Sequence, residues 1–279
     1  MDFINKLLGI DPNYIVIGLI AFFFSLEQIM KSPFSFKKRI NHLFQNLLFQ
    51  ILLVFLNIFF ITFQVFSIEW LNGNNIGLLY LIEFELPVWT KLCVSVALYD
   101  FTAYWIHRGT HKIPLLWRFH RVHHSDTTID SSTVFRFHPI ELILVFGIGN
   151  ILTAGLFGTD VFSMALYYFI LYLFFFFEHA NLNYPKWLNS SLGLLFVMPD
   201  HHRVHHQQEQ FYTDSNYADI FIIWDRLFGT FKMMPIENMK YGLAEFDTEK
   251  KQSFLYLIKS PFINIKRLKS DNKFNKTST

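Results

Sequence analysis

The longest uninterrupted apolar stretch of the chain, residues 43–66, constrains its fold more than any other feature. It holds 24 residues without a charged side chain, and about 20 apolar residues are enough for a helix to cross a bilayer. Residues 142–159 and 161–177 are also uncharged and are separated by Asp160 alone, which predicts a tight pair of spanning helices. Three such stretches favour a membrane-embedded chain over a soluble globule.

Two weaker stretches raise the expected number of spans to about four or five. Residues 13–30 carry one charge, Glu27, near their end, whereas Glu83, Glu85, Lys91 and Asp100 interrupt residues 78–106. The composition agrees, since only 16% of the residues are charged, against about 25% in ordinary soluble domains. An intrinsically disordered chain would need low hydrophobicity and high charge, and is excluded.

Basic residues are distributed unevenly along the chain, and this distribution predicts its orientation. Residues 31–39, residues 108–136 and the chain after Ala180 carry 4, 5 and 13 of the 24 lysines and arginines, whereas residues 67–77 carry none. With five spans, the three basic segments fall on one side. Because lysine and arginine concentrate in cytoplasmic loops, we expect that side to be the cytoplasm.

Eleven of the twelve histidines lie between residues 107 and 206, grouped in three short boxes. The first box is HxxxH, and the other two are both HxxHH within the pentapeptide His-Arg-Val-His-His. Residues three and four apart share one face of a helix, and Pro114 and Pro199 each suit a first helical turn. We therefore predict a short helix beginning near each proline. The box residues are His107, His111, His120, His123, His124, His202, His205 and His206.

Eight or nine imidazoles exceed the coordination sphere of a single metal ion. A mononuclear zinc site needs three or four ligands, so the boxes predict two metal ions. Imidazole binds zinc, copper, iron and nickel alike, which leaves the metal open at this point. His179, at the end of the stretch 161–177, is a further candidate ligand because it would meet the boxes from the membrane side.

Several neighbours of the boxes have two possible roles. His138 and His201 could be additional ligands or structural residues. Nearby acids could orient imidazole N–H groups, or could equally be helix caps or solvated charges; they are Asp100, Asp126, Glu178 and Asp200.

The remaining composition excludes other classes of site. A single cysteine excludes a disulfide scaffold and any cysteine-based zinc or iron–sulfur centre. A net charge of +2 gives no indication of a nucleic-acid partner. No glycine-rich dinucleotide fingerprint or haem motif is present, so a redox reaction would need electrons from a separate protein.

The motifs of residues 95–231 together resemble the fatty acid hydroxylase/sterol desaturase family. They are DFTAYWIHRGTH at 100–111, RFHRVHHS at 118–125, RFHPIE at 136–141, EHAN at 178–181, PDHHRVHH at 199–206, NY at 216–217 and WDRLFGTF at 224–231. The resemblance is specific in content, order and spacing. Residues 1–75 carry no motif and resemble the family only in being apolar.

The resemblance implies a membrane-bound oxygenase with two metal ions, normally iron, although zinc can be present in the purified protein. It implies that the eight box histidines and His179 are the ligands. It also implies a lipid substrate from the bilayer, O2, and a separate electron donor such as a reductase, a cytochrome b5-like protein or a ferredoxin. Hydroxylation is favoured over desaturation, and the lipid itself stays open.

We therefore predict an all-α integral membrane bundle of about four to five spans, with a cytoplasmic histidine-rich helical cap that holds a dinuclear metal site. Residues 1–94 would form an N-terminal transmembrane region, and residues 95–231 a catalytic domain with two transmembrane helices. Residues 232–279 would form a cytoplasmic segment whose end we expect to be mobile. The alternative is a membrane metal transporter or metal sensor, against which the lack of histidine in residues 43–66, 142–159 and 161–177 argues. A zinc hydrolase is disfavoured by the absence of HExxH.

Overall fold

The computed structural model describes residues 9, 11–30, 35–235 and 239–267. This part of the chain is helical and contains no β-strand, which confirms the all-α prediction. The predicted mobile end of the C-terminal segment lies outside the described residues. The α-helices are α1 Pro12–Ile29, α2 Phe36–Gly73, α3 Val88–Lys112, α4 Pro114–His124, α5 Gly147–Phe157, α6 Val161–His179, α7 Trp187–Ser190, α8 Pro199–His205, α9 Gln210–Thr213, α10 Ile223–Leu227 and α11 Phe254–Lys259.

Shorter helical turns connect these elements. A π-helix, Glu141–Phe146, leads directly into α5. The remaining turns are 3-10 helices, at Leu78–Leu81, Ser131–Phe135, Leu192–Leu194, Ala244–Phe246, Glu249–Gln252 and Ser260–Phe262.

Three segments are long and apolar enough to cross a membrane, namely Pro12–Ile29, Phe36–Leu81 and Val161–His179. The apolar run Glu141–Phe157 is shorter. Along α2 the side chains of Ile51, Phe55 and Phe59 are 64%, 70% and 79% exposed. An apolar stripe of this size on a folded surface is typical of contact with lipid, and it supports an integral membrane protein.

The candidate span at residues 78–106 was wrong at its beginning. A 3-10 turn occupies Leu78–Leu81, and α3 begins only at Val88, after Pro87. Proline restricts the residue before it to extended backbone and has no N–H of its own, so the helix cannot extend back through Leu86. By length and composition α3 is not among the candidate spans.

Helices α2, α3, α5 and α6 run side by side between two ends of the molecule. At the first end, Asn72 Nδ2 donates to the Thr159 carbonyl at 3.1 Å, and Lys91 Nζ lies 3.4 Å from Asp160 Oδ2. Their shared core includes Ile68, Val96 and Leu171. We call this first end the turn end and the opposite end, which carries the histidine boxes, the site end.

A buried polar network fixes α1 and α2 at the site end. Glu27 pairs with Arg39 and accepts from the backbone N–H groups of Ser131 and Asn181, at 2.8 and 2.7 Å. Its carboxylate therefore connects the two N-terminal helices to the chain that follows α4 and α6. Buried charges are stable only when they are paired in this way.

Candidate metal centre

The predicted helices of the two HxxHH boxes are confirmed, since α4 begins at Pro114 and α8 at Pro199. In each helix the proline occupies the first turn, where its missing N–H has no partner to lose. The HxxxH box forms the last two turns of α3. His179 is the last residue of α6. Four helix ends therefore meet at the site end.

These ends bring together all nine histidines that the sequence singled out as ligands, in two buried groups. The ligand-type atoms of each group lie within 4.8 Å of one another. Residues of both HxxHH boxes occur in both groups, so neither box forms a site alone. The first group is His107, His111, His120, His124 and His205, and the second is His123, His179, His202 and His206.

The two groups are adjacent. Imidazole rings of His124 and His206 are stacked with their centroids 4.7 Å apart, and the ring centroids of His205 and His206 are 5.5 Å apart. Their positions in the boxes explain this arrangement. Neighbouring residues in a helix point about 100° apart, so the His-His pair of each HxxHH box supplies one imidazole to each group.

In the first group, His107 Nε2 lies 3.1 Å from His120 Nε2, which lies 3.1 Å from His124 Nε2. In the second group, His179 Nε2 lies 3.0 Å from His202 Nε2 and 3.3 Å from His123 Nε2. Metal–nitrogen bonds of about 2.1 Å at roughly right angles separate ligand nitrogens by about 3 Å. These spacings therefore fit coordination of a metal ion.

The outer nitrogens determine which imidazole atom can bind a metal. Nδ1 of His107, His179 and His205 lies 2.8, 2.8 and 2.6 Å from the backbone carbonyls of Tyr217, Phe175 and Ser215. A carbonyl can only accept, so Nδ1 carries the proton and Nε2 keeps a bare lone pair. His205 Nε2 and His111 Nε2 are buried without any hydrogen-bond partner among the described residues. The donor set thus fits two metal cations.

Carboxylates hold further imidazoles from outside. His120 Nδ1 lies 2.5 Å from Glu141 Oε1, and His111 Nδ1 lies 3.4 Å from Asp214 Oδ1. His202 Nδ1 lies 3.5 Å from Glu178 Oε2 without a hydrogen bond between them. The contacts of Glu141 and Asp214 fix the ring orientation and make the metal-binding nitrogen more basic.

Burial keeps these imidazoles neutral. It lowers the pKa of His120 to about 3. The pKa values of His202, His205 and His206 also lie well below the ordinary value, because of burial and then of neighbouring imidazoles. A neutral imidazole is the form that binds metals.

Three of the four acids that the sequence proposed as imidazole partners have other contacts. Asp100 accepts from the backbone of Ile220 and Phe221, at 3.1 and 3.0 Å, and from the Trp224 indole. Asp200 accepts from Asn189 Nδ2 at 2.5 Å. Both carboxylates therefore bind groups other than the box imidazoles.

Asp126, the third of these acids, contacts His42, with Oδ1 2.9 Å from Nε2. His42 also lies 3.1 Å from Asp130, so it belongs to the polar network at the start of α2. Of the four proposed acids, Glu178 is the one that faces a box imidazole.

The two ambiguous histidines lie outside both groups. His138 Nε2 lies 3.2 Å from the Ile258 carbonyl, and its Nδ1 accepts from the Ile140 N–H at 3.2 Å. His201 Nδ1 accepts from the Met198 N–H at 3.2 Å and so stabilises the start of α8. Both have structural partners.

Sequence reasoning missed Glu141, Asp214 and Asp219. Glu141 stands in the RFHPIE segment, where only proximity to His138 was apparent. The π-helix Glu141–Phe146 places its carboxylate beneath His120 instead. Asp214 and Asp219 are distant in sequence from the boxes they approach, so no local spacing could have indicated them.

A cavity borders both groups of histidines. It is lined by five of them, by Phe137, Phe146 and Phe175, and by Asp219. The three phenylalanines provide an apolar wall next to the metal-binding nitrogens.

Comparisons with known proteins agree with the site. Residues 92–230 match the model of the fatty acid hydroxylase family. The alkylglycerol monooxygenases of Homo sapiens and Danio rerio are 32% and 39% identical over 145 and 163 residues, which are 52% and 57% of this chain. An ornithine lipid hydroxylase of Rhizobium tropici is 30% identical over 152 residues, which are 53% of this chain and 44% of that protein.

The matches cover only part of these relatives. The chain spans about a third of the length of the two alkylglycerol monooxygenases, 31% and 35%. No solved structure matches the chain.

Proposed function

Because the chain belongs, through residues 92–230, to the fatty acid hydroxylase family, we propose that it is a membrane-bound non-haem di-iron oxygenase. In this proposal it hydroxylates a lipid with O2 and external electrons. The observation that carries the proposal is the pair of adjacent, buried, neutral histidine groups that border an apolar cavity. Relatives named as a monooxygenase and a hydroxylase of lipids support it.

The two groups of five and four histidines are the proposed ligands of the two iron ions. Bound iron would supply the O2 and one-electron chemistry that oxidation of an unactivated C–H bond requires. The chain's own residues perform the other tasks. Glu141 and the carbonyls of Tyr217, Ser215 and Phe175 hold the imidazoles in place, and Phe137, Phe146 and Phe175 exclude water from the reacting carbon.

The lipid would enter sideways from the bilayer, because the cavity lies where the apolar helices end. Electrons would come from a separate reductase, cytochrome b5-like protein or ferredoxin, as the sequence predicts. Hydroxylation is the favoured reaction and desaturation the less favoured one. Zinc in the purified protein would compete for the same imidazoles, since both metals accept nitrogen ligands.

We propose the cytoplasmic face for the site end, as the distribution of lysine and arginine predicts. The proposed division is an N-terminal transmembrane region at 1–94, a catalytic domain at 95–231 and a C-terminal segment at 232–279. In a Cys93→Ser background, Asn74→Cys at the turn end and Lys186→Cys at the site end would be labelled with a membrane-impermeant maleimide. Labelling of Lys186→Cys in intact cells would contradict the assignment.

The main test compares purified wild type with His123→Ala, which removes one imidazole of the second group. We expect wild type to contain two irons per chain and to consume O2 when given a reductant and membrane lipid. The products should be lipid species one oxygen heavier in the mass spectrum. His123→Ala should lose this activity, and a di-iron wild type that oxidises no lipid would refute the proposal.

The same purified protein can be used to distinguish the oxygenase from the transporter alternative. Transporters bind their ions near the middle of the membrane, whereas both histidine groups lie at one end of the described helices. Reconstituted vesicles that take up metal without O2 would favour transport over oxidation.

A further inference from the structure

Three acids lie in or against the loop that follows α9, and the carboxylates of two of them accept hydrogen bonds from the backbone of this loop. Asp225 accepts from the backbone N–H groups of Tyr217 and Ala218 at 2.8 and 2.9 Å, and Asp100 accepts from Ile220 at 3.1 Å. Together they fix the backbone on either side of Asp219. The position of Asp219 is therefore set by rigid neighbours.

Asp219 differs from these two acids because its carboxyl group has no hydrogen bond to any described residue. It is 4% exposed and lines the cavity that borders both histidine groups. Its Oδ1 lies 3.7 Å from His107 Nδ1. That nitrogen is only 2.8 Å from the Tyr217 carbonyl and donates there instead.

Among the described residues that line the cavity, no other side chain outside the proposed metal sites offers a substrate an acceptor. Phe137, Phe146 and Phe175 have no polar side-chain atoms, and the five lining histidines belong to the two proposed metal sites. The Asp219 carboxyl group lines the cavity without a hydrogen bond to any described residue, so it can accept from, or donate to, a polar group that enters the cavity.

We propose that Asp219 binds a hydroxyl group of the lipid substrate, next to the carbon that is oxidised. This inference rests on the proposed function, because it places the substrate in the cavity beside the two histidine groups. A hydroxyl fits either protonation state of the carboxyl group, since it can both donate and accept. The substrate class is then a lipid with a free hydroxyl near the reacting carbon, and not a plain hydrocarbon chain.

The inference predicts selectivity of a measurable size. A hydrogen bond to a carboxyl group changes affinity by about 10- to 100-fold when its partner is removed. A methyl ether in place of the hydroxyl removes the donor and adds a group that the cavity must accommodate. Asp219→Asn keeps an acceptor oxygen of the same shape, whereas Asp219→Leu keeps the volume and loses every polar atom.

The test measures equilibrium binding of labelled 1-O-hexadecylglycerol and of its di-O-methyl ether to the purified protein in detergent. Wild type and Asp219→Asn should bind the free alcohol at least about tenfold more tightly, and Asp219→Leu should bind both lipids equally. Asp247→Asn is the matched control, because this acid contacts Lys240 and Gln208 instead of the cavity. It should behave like wild type.

Measurements of bound metal and of turnover distinguish a failure of this inference from a failure of the proposed function. Equal binding of both lipids by wild type, or an unchanged preference in Asp219→Leu, would overturn the inference. So would a loss of bound metal in Asp219→Leu, since Asp219 would then be a metal ligand. If wild type prefers the free alcohol but oxidises no lipid, the proposed function fails while the binding role of Asp219 stands.

Discussion

Individual histidines in this protein are distinguished by the partner of their outer nitrogen. His205 and His201 are four residues apart in the same helical segment, yet only His205 directs a bare Nε2 into a group of imidazoles. His201 uses its Nδ1 to accept from the Met198 N–H. The contact of one ring nitrogen therefore separates a candidate ligand from a structural residue.

Substitution of these two histidines should have different effects on bound metal. His205→Ala removes an imidazole of the first group, and we expect it to reduce the bound iron from two equivalents to about one. His201→Ala should keep both equivalents, although it loses a hydrogen bond at the start of α8. Metal analysis of the purified proteins measures this, and equal iron in the two variants would contradict the assignment.

Glu141→Gln should weaken metal binding without removing a ligand. The amide cannot accept from His120 Nδ1 as strongly as the carboxylate at 2.5 Å. Loss of such an outer contact lowers metal affinity by about 10- to 100-fold. Competition with a chelator measures the affinity, and Asp200→Asn is the control because Asp200 contacts Asn189 instead of an imidazole.

At the scale of elements, the site depends on where helices end. The two HxxHH helices begin at prolines and are short, so their imidazoles converge without long apolar segments. The π-helix Glu141–Phe146 serves both sides of the site, because it carries Glu141 at one end and Phe146, which lines the cavity, at the other. π-Helices are rare and are frequent at functional sites.

At the turn end, the backbone of Gly77 has a conformation and a close contact that favour glycine. Gly77 has φ 128°, and a Cβ there would lie 2.0 Å from the Gly158 nitrogen. Gly77→Ala should therefore destabilise the protein by about 1–3 kcal/mol or more. Gly73→Ala is the matched control, because a Cβ at the end of α2 meets nothing within 4 Å. Thermal unfolding in detergent compares them, and equal midpoints would contradict the prediction.

For the whole molecule, the N-terminal helices and the histidine-bearing segments form one structure. His42 and Glu27 reach across from α2 and α1 to Asp126, Asp130 and Ser131, in the chain that follows the second box. These contacts join sequence positions 84 to 104 residues apart. The motif-free N-terminal region therefore positions the chain around the site.

Stability of the metal-free protein should fall as the pH is lowered. His120 has an ordinary pKa of 6.5 but a folded value of about 3, because it is buried. Below about pH 6.5 the unfolded chain binds protons that the folded state excludes, so acid favours unfolding. Each such histidine costs up to about 1.4 kcal/mol per pH unit. The loss should begin below pH 6.5 and continue toward pH 3.

Thermal unfolding of chelator-treated protein at pH 7.5 and 5.5 tests this prediction. The midpoint should be clearly lower at pH 5.5, and bound metal should raise it at both values. An apoprotein equally stable at both pH values would show that the imidazoles are already accessible to protons.

The sequence alone determined the helical, membrane-embedded class and the nine histidines that converge. Both follow from local rules: apolar length sets what can cross a bilayer, and spacing of three or four sets which box residues share a helix face. His179 was indicated by its place at the end of an apolar stretch. The proline before each HxxHH box was likewise sufficient to predict where α4 and α8 begin.

Only the tertiary structure decided how these histidines divide into groups of five and four, and which acids support them. Glu141, Asp214 and Asp219 approach the site from segments with no shared spacing, while Asp100, Asp126 and Asp200 stand beside the boxes in sequence but contact other residues. A short carboxylate reaches only what the fold places within about 3 Å of it. That distance depends on helix packing, which residue order does not encode locally.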